Sequence, residues 1–211
     1  QLEDSPYFKR EPYSLRSFLV RTDKTGIIAE FKRKSPSKGV INGSASVSQV
    51  VAGYTAAGAS AISVLSDHTF FGGSTEDVMM ARLATNCPIL RKDFVIDEYQ
   101  VAEAKAMGAD VILLIAAILD PTQATRLAQV AHSLGMEVLL EVHNEEELKQ
   151  HQHIGADVIG VNNRNLKTFE VDVQTSLRLA QLIPHEVMKV SESGLSQSET
   201  VVELGAAGYR G

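Results

Sequence analysis

Short apolar runs alternate with helical stretches along the whole chain. The runs fall at 27–32, 61–65, 88–92, 111–115, 137–142, 158–162 and 187–191, and several are rich in Val, Ile and Leu, as strands buried on both faces are. Helices are predicted near 47–57, 75–84, 97–107, 121–134, 144–153, 172–182 and 196–204, with a further one over 12–21 before the first strand. Several helix starts are marked by capping residues: Asp97 before Glu98, Asp120 before Pro121, and Asn144 before three glutamates. Strand alternating with helix predicts a parallel sheet.

The strands are of two kinds. Gly58-Ala59-Ser60, Gly108-Ala109-Asp110 and Gly155-Ala156-Asp157 each follow a helix and open a β-branched run, and the glycines lie 50 and 47 residues apart. That spacing is about two β/α units of a (β/α)8 TIM barrel. Between them lie four runs that end in charge: Glu30-Phe31-Lys32, Leu90-Arg91-Lys92, Leu140-Glu141-Val142 and Ser191-Glu192. A fourth Gly-Ala pair, Gly205-Ala206, precedes the end of the chain at Gly211. The expectation is therefore an α/β chain with a single barrel domain over 1–211, shortened before strand eight.

Side chains two apart on a strand share a face, so Glu30 and Lys32 point together into the barrel while Phe31 packs outward. Each interior layer of such a barrel draws four side chains from alternate strands. Lys32, Lys92, Glu141 and Glu192 are expected to form such a layer at the mouth, with Asn162 and Arg164 added from strand six. Buried ion pairs give little net stability, so acids and bases gathered there point to acid/base chemistry. In the loop after strand one, Ser35 and Ser37 suit an anionic ligand, whereas Arg33 and Lys34 read as solvated surface groups. Ser193-Gly194 after strand seven lies where barrels commonly bind phosphate. Phe70, Phe71 and Phe94 bring aromatic rings near the mouth, as rim packing or as a wall for an aromatic ligand.

Composition narrows the partners. A net charge of −6 argues against a nucleic-acid binder, and the longest apolar run, Val111 to Leu119, is too short to span a membrane. Cys87 is the only cysteine, which excludes an internal disulfide and suits a reducing, cytoplasmic setting; it reads as a buried small hydrophobe. The six histidines show no metal-ligand spacing, and His151 and His153 are expected at the surface.

Together, Ala29-Glu30-Phe31-Lys32-Arg33-Lys34-Ser35-Pro36-Ser37, Phe71-Gly72-Gly73-Ser74, Leu90-Arg91-Lys92-Asp93-Phe94, Leu140-Glu141-Val142, Gly160-Val161-Asn162-Asn163-Arg164-Asn165-Leu166 and Ser191-Glu192-Ser193-Gly194 resemble indole-3-glycerol phosphate synthase, in order from about residue 12 to 211. The resemblance implies a cofactor-free, metal-free carboxy-lyase of tryptophan biosynthesis acting on a phosphorylated aromatic substrate. It implies Lys92 as general acid, Lys32 on the carboxylate that leaves as CO₂, and Glu141 as acid/base, with Glu30 as the competing base. Asn162 and Glu192 would orient, Ser193 and Gly194 would hold phosphate, and Phe71 and Phe94 would flank the ring. The family's N-terminal extension helps cover the barrel mouth, and the resemblance makes residues 1–25 its remnant; association or fusion with other enzymes of the pathway fits the resemblance too. Three alternatives stand beside it. They are a phosphoribosylanthranilate isomerase, which would use a Cys and an Asp, a Schiff-base aldolase built on Lys92, and an inactive barrel serving as an interaction module.

Overall fold

In the computed structural model, which describes residues 2–211, seven parallel strands pair strictly in chain order. They are β1 (Ile28–Phe31), β2 (Ala61–Leu65), β3 (Ile89–Lys92), β4 (Val111–Ile115), β5 (Glu137–Val142), β6 (Val158–Asn162) and β7 (Met188–Glu192). The helices are α1 (Leu15–Leu19), α2 (Val47–Ala56), α3 (His68–Phe71), α4 (Thr75–Ala84), α5 (Glu98–Met107), α6 (Pro121–Ser133), α7 (Glu145–His151), α8 (Gln174–Ala180) and α9 (Ser198–Ala206). Side-chain caps close several starts as their sequences predict: Asp97, Asp120 and Asn144 accept from Tyr99, Thr122 and Glu147 main-chain N–H groups.

The sheet curls into a barrel wall. In a flat sheet, β3 and β7 would stand about 19 Å apart at ~4.8 Å per strand. Yet Lys92 on β3 and Glu192 on β7 are 3.0 Å apart. Alternate residues divide two cores. Ile62, Val64, Ile112, Leu114, Leu140 and Val161 face the helices, with Phe31 beside them. Ala61, Leu90, Leu113, Leu139 and Val190 fill the interior, where Leu15 and Leu19 of α1 join them. Burying a leucine contributes about 1.5–3 kcal/mol, so α1 works as an apolar plug.

The plug sits at the end of the barrel opposite the charged mouth. Residues ahead of it bind groups at strand starts: Tyr13 N–H donates to Asp110 at 2.8 Å, and Ser14 Oγ to Glu137 at 2.6 Å. The described part of the 1–25 segment thus braces the base of the barrel and does not cover the mouth, because its polar anchors lie at the strands' amino ends; Gln1 lies outside the described residues. At the other seam, Arg210 N–H donates to Lys189 and Ser191 N–H to the Gly211 carbonyl, both at 2.9 Å. Tyr209–Gly211 thereby starts a further rung beside β7, against Gly26 just ahead of β1. Among the described residues no helix is long and apolar enough to cross a membrane.

Candidate active site

The carboxyl ends of the strands bring four charged groups together. Lys92 Nζ donates to Glu141 Oε2 at 3.2 Å and to Glu192 Oε2 at 3.0 Å. Asn162 Nδ2 donates to Glu141 Oε1 at 3.1 Å. Lys32 pairs with Glu30 beside it, and the Glu30 charge also favours the Lys92 ammonium. Glu30, Lys92, Glu141 and Glu192 thus act on one another's charge, and Lys32 follows directly after β1, paired with Glu30.

Environment sets these groups apart. Burial favours the neutral amine of Lys92, but Glu192, Glu141 and Glu30 outweigh it and hold the ammonium well above the usual lysine range. Burial likewise opposes ionisation of Glu141, yet Lys92 and His143 outweigh it and keep the carboxylate far below the usual range. At Glu192 burial wins over Lys92, reinforced by Glu141 and Glu30, and the carboxyl is pushed up. Two carboxyl groups driven apart around one ammonium are equipped for proton transfer in both directions.

Gly160 makes room for this arrangement. A Cβ there would lie 2.2 Å from Glu192 Oε1 and 2.8 Å from Leu139 Cδ2. The aromatic edge is built from α3, where Phe94 packs 6.0 Å from Phe70 and 6.4 Å from Phe71. Gly72 closes α3 in the left-handed region with φ 66°, Gly73 fits against the Leu65 carbonyl where a Cβ would be only 2.0 Å away, and Ser74 caps α4. This explains Phe71-Gly72-Gly73-Ser74 as one turn that sets a ring at the rim.

The loop after β7 has Ser193 and Gly194 both at positive φ, 69° and 76°. Asn163 holds it from behind the sheet: Nδ2 donates to Ser191 Oγ at 3.0 Å and to the Ser193 carbonyl at 3.2 Å. Its Oδ1 accepts from Ser176 Oγ at 2.8 Å. Arg164 donates to the Phe169 carbonyl at 3.1 Å, and Ser35 lies in a two-residue ribbon with its Oγ accepting from Lys38 N–H at 3.2 Å.

Three expectations are corrected. Arg33 is not a free surface group: Nη2 donates to buried Asp77 at 2.9 Å, and the guanidinium stacks 5.1 Å above the Phe31 ring. Lys34 donates to the Thr69 carbonyl at 2.8 Å, so both residues tie the loop after β1 to the α3–α4 region. His151 is buried, its ring nitrogens meeting the Glu147 and Leu119 carbonyls, because α7 packs against α6 and the turn ahead of it. Cys87 is buried in the outer core, away from the mouth. Sequence reasoning missed Asn163, Arg91 and His143. Arg91 binds Ser66 at 3.0 Å and Glu103 at 2.8 Å on the helix side. The parity of β3 signals this, since Arg91 alternates with the inward Lys92.

Comparison with known proteins points to one family. The sequence model of indole-3-glycerol phosphate synthase matches residues 2–211. The indole-3-glycerol phosphate synthase of Bacteroides thetaiotaomicron is 52% identical over 198 residues, 94% of this chain and 75% of its own length. That of Carboxydothermus hydrogenoformans is 43% identical over 206 residues, 96% of this chain and 78% of its own. Among solved structures, a chain of the tryptophan synthase a2b2 complex of Pyrococcus furiosus superposes with a TM-score of 0.63 at 19% identity, covering 88% of this chain and 85% of that one; this likeness speaks to the barrel fold alone. With the motifs in order and the mouth assembled from them, the chain belongs to the indole-3-glycerol phosphate synthase family.

Proposed function

We propose that this chain converts 1-(2-carboxyphenylamino)-1-deoxyribulose 5-phosphate to indole-3-glycerol phosphate, with loss of CO₂ and water, in tryptophan biosynthesis. The observation that carries this reading is the Lys92 ammonium held between Glu141 and Glu192 in the barrel mouth. The ring carbon bearing the carboxylate attacks the substrate ketone, and Lys92 gives its proton to the oxygen as the carbon–carbon bond forms. Lys32 holds the carboxylate; its loss as CO₂ returns the bonding pair to the ring and restores aromaticity. Dehydration then removes a proton and a hydroxyl from adjacent carbons: Glu141 takes the proton, with Glu30 as the competing base, and Lys32 protonates the departing hydroxyl. Asn162 and Glu192 orient the sugar hydroxyls and Lys92. Phe71 and Phe94 flank the aromatic ring, and Ser35, Arg164, Ser193 and Gly194 serve the anionic end.

Two alternatives lose ground on particular observations. A Schiff base needs a neutral lysine, whereas Lys92 is held as ammonium. An isomerase using a cysteine would need it at the mouth, whereas Cys87 is packed under the helices. The same reading makes residues 1–211 a single barrel domain of a cytoplasmic enzyme, consistent with its lone buried thiol. Association or fusion with neighbouring pathway enzymes belongs to it too.

The test is indole fluorescence on adding the carboxyphenylamino-deoxyribulose phosphate to full-length protein, beside Lys92→Ala. Product is expected from the parent, with turnover lower by about 10²–10⁴-fold in the variant. A folded, full-length parent that yields no product would overturn the reading.

A further inference from the structure

His143, directly beyond β5, stands between two carboxylates and belongs to none of the roles above. Glu147 of α7 fixes one side of the ring: its Oε2 accepts from the His143 main-chain N–H at 2.8 Å and from Nδ1 at 3.1 Å. Asn144 Nδ2 steadies the other oxygen of Glu147 at 2.9 Å. Across the ring, Nε2 lies 3.1 Å from Glu141 Oε1, an ion-pair approach rather than an in-line hydrogen bond, and it is buried with no other partner. Oε1 also accepts from Asn162, while Oε2 faces Lys92. We propose that His143 is a positioning residue for Glu141: its ring, clamped by Glu147, holds the Oε1 edge and leaves Oε2 to work on the Lys92 side of the mouth.

This rests on the reading of Glu141 as the acid/base. Glu141 on β5 and Glu147 on α7 flank the ring, and Lys92 on β3, itself paired with Glu192 on β7, stands on the far side of Glu141. A ring flanked by two carboxylates favours the imidazolium. Burial opposes that charge, but the Glu141 and Glu147 carboxylates outweigh it and raise the ring to about 9. The sign follows: the cation is present below that value and is lost as pH rises through it. Lys92, held well above the usual lysine range, keeps its charge across the same window.

The alternative is an ion cluster that merely closes the loop onto α7. A purely structural role would change melting temperature and leave any rate deficit independent of pH. The experiment measures kcat/KM for parent, His143→Gln, Glu147→Gln and Glu141→Gln from about pH 6.5 to 10. The expected parent-to-His143→Gln ratio is about tenfold at neutral pH, a modest share of the ~10²-fold that a misplacement of about 1 Å at a reacting group costs. It should fall toward one as pH rises through about 9. Glu147→Gln, which keeps the ring but loosens it, should show a smaller deficit that closes in the same window. A ratio that is flat with pH, or one throughout, overturns the proposal. If His143→Gln lacks a cooperative melt, Glu147→Gln decides alone. Parental turnover in Glu141→Gln would instead sink the acid/base reading, whatever the His143 variant does.

Discussion

Gly160→Ala separates catalytic geometry from stability. The added Cβ would meet Glu192 Oε1 at 2.2 Å and Leu139 Cδ2 at 2.8 Å, so the carboxyl must retreat by about 1 Å to reach ordinary van der Waals separation. Both obstacles are the far ends of flexible side chains, which places the overpacking cost near the lower end of its ~1–3 kcal/mol range. For a chain of this size that lowers Tm by about 2–4 °C. The same displacement breaks the 3.0 Å contact between Glu192 and Lys92 and turns the proposed acid away from its aim. A misplacement of about 1 Å at a reacting group costs about 10²-fold in rate. Turnover by indole fluorescence, with Tm by calorimetry, should therefore show a large loss of kcat beside a small loss of stability. Parental kcat in Gly160→Ala, or a crystal structure of it with Glu192 unmoved, would refute the argument.

Asn163→Ala should raise KM by about tenfold with less effect on kcat, because removing a hydrogen bond to the positive-φ Ser193 loop costs about 1–1.5 kcal/mol and acts on the proposed phosphate end; inhibition by inorganic phosphate, weakened in the variant, checks it. Tyr209, whose hydroxyl donates to the Ser176 carbonyl at 2.7 Å, is pushed up to about 12 by burial. An unfolded tyrosine ionises near 10, so its contribution is fully present below about pH 10 and lost as pH rises to about 12. The gap in urea midpoint between parent and Tyr209→Phe should shrink across that window, and a gap independent of pH would contradict it.

The strand and helix pattern was legible because both periodicities are local. The predicted runs at 61–65, 111–115, 137–142 and 158–162 are strands with those bounds, and 75–84 is α4. The small elements escaped notice: α3 spans only four residues and follows from a cap at Asp67 and a left-handed Gly72 rather than from an apolar stripe. Arg33, Lys34 and His151 were misread for a related reason. Nothing local distinguishes a solvated polar side chain from one whose partner lies on another element, as Arg33 does with Asp77 forty-four residues on.

Period-two alternation along each strand, readable locally, places Glu30, Lys32, Lys92, Glu141 and Glu192 together at one mouth. How they divide depends on the folded chain. Curling of the sheet sets Lys92 across from Glu192, Lys32 pairs with Glu30 just past the end of β1, and α7 returns Glu147 to clamp His143 against Glu141. Protonation follows from that division: desolvation and the distance to opposite charge set each group's state, and both depend on neighbours that are far away along the chain.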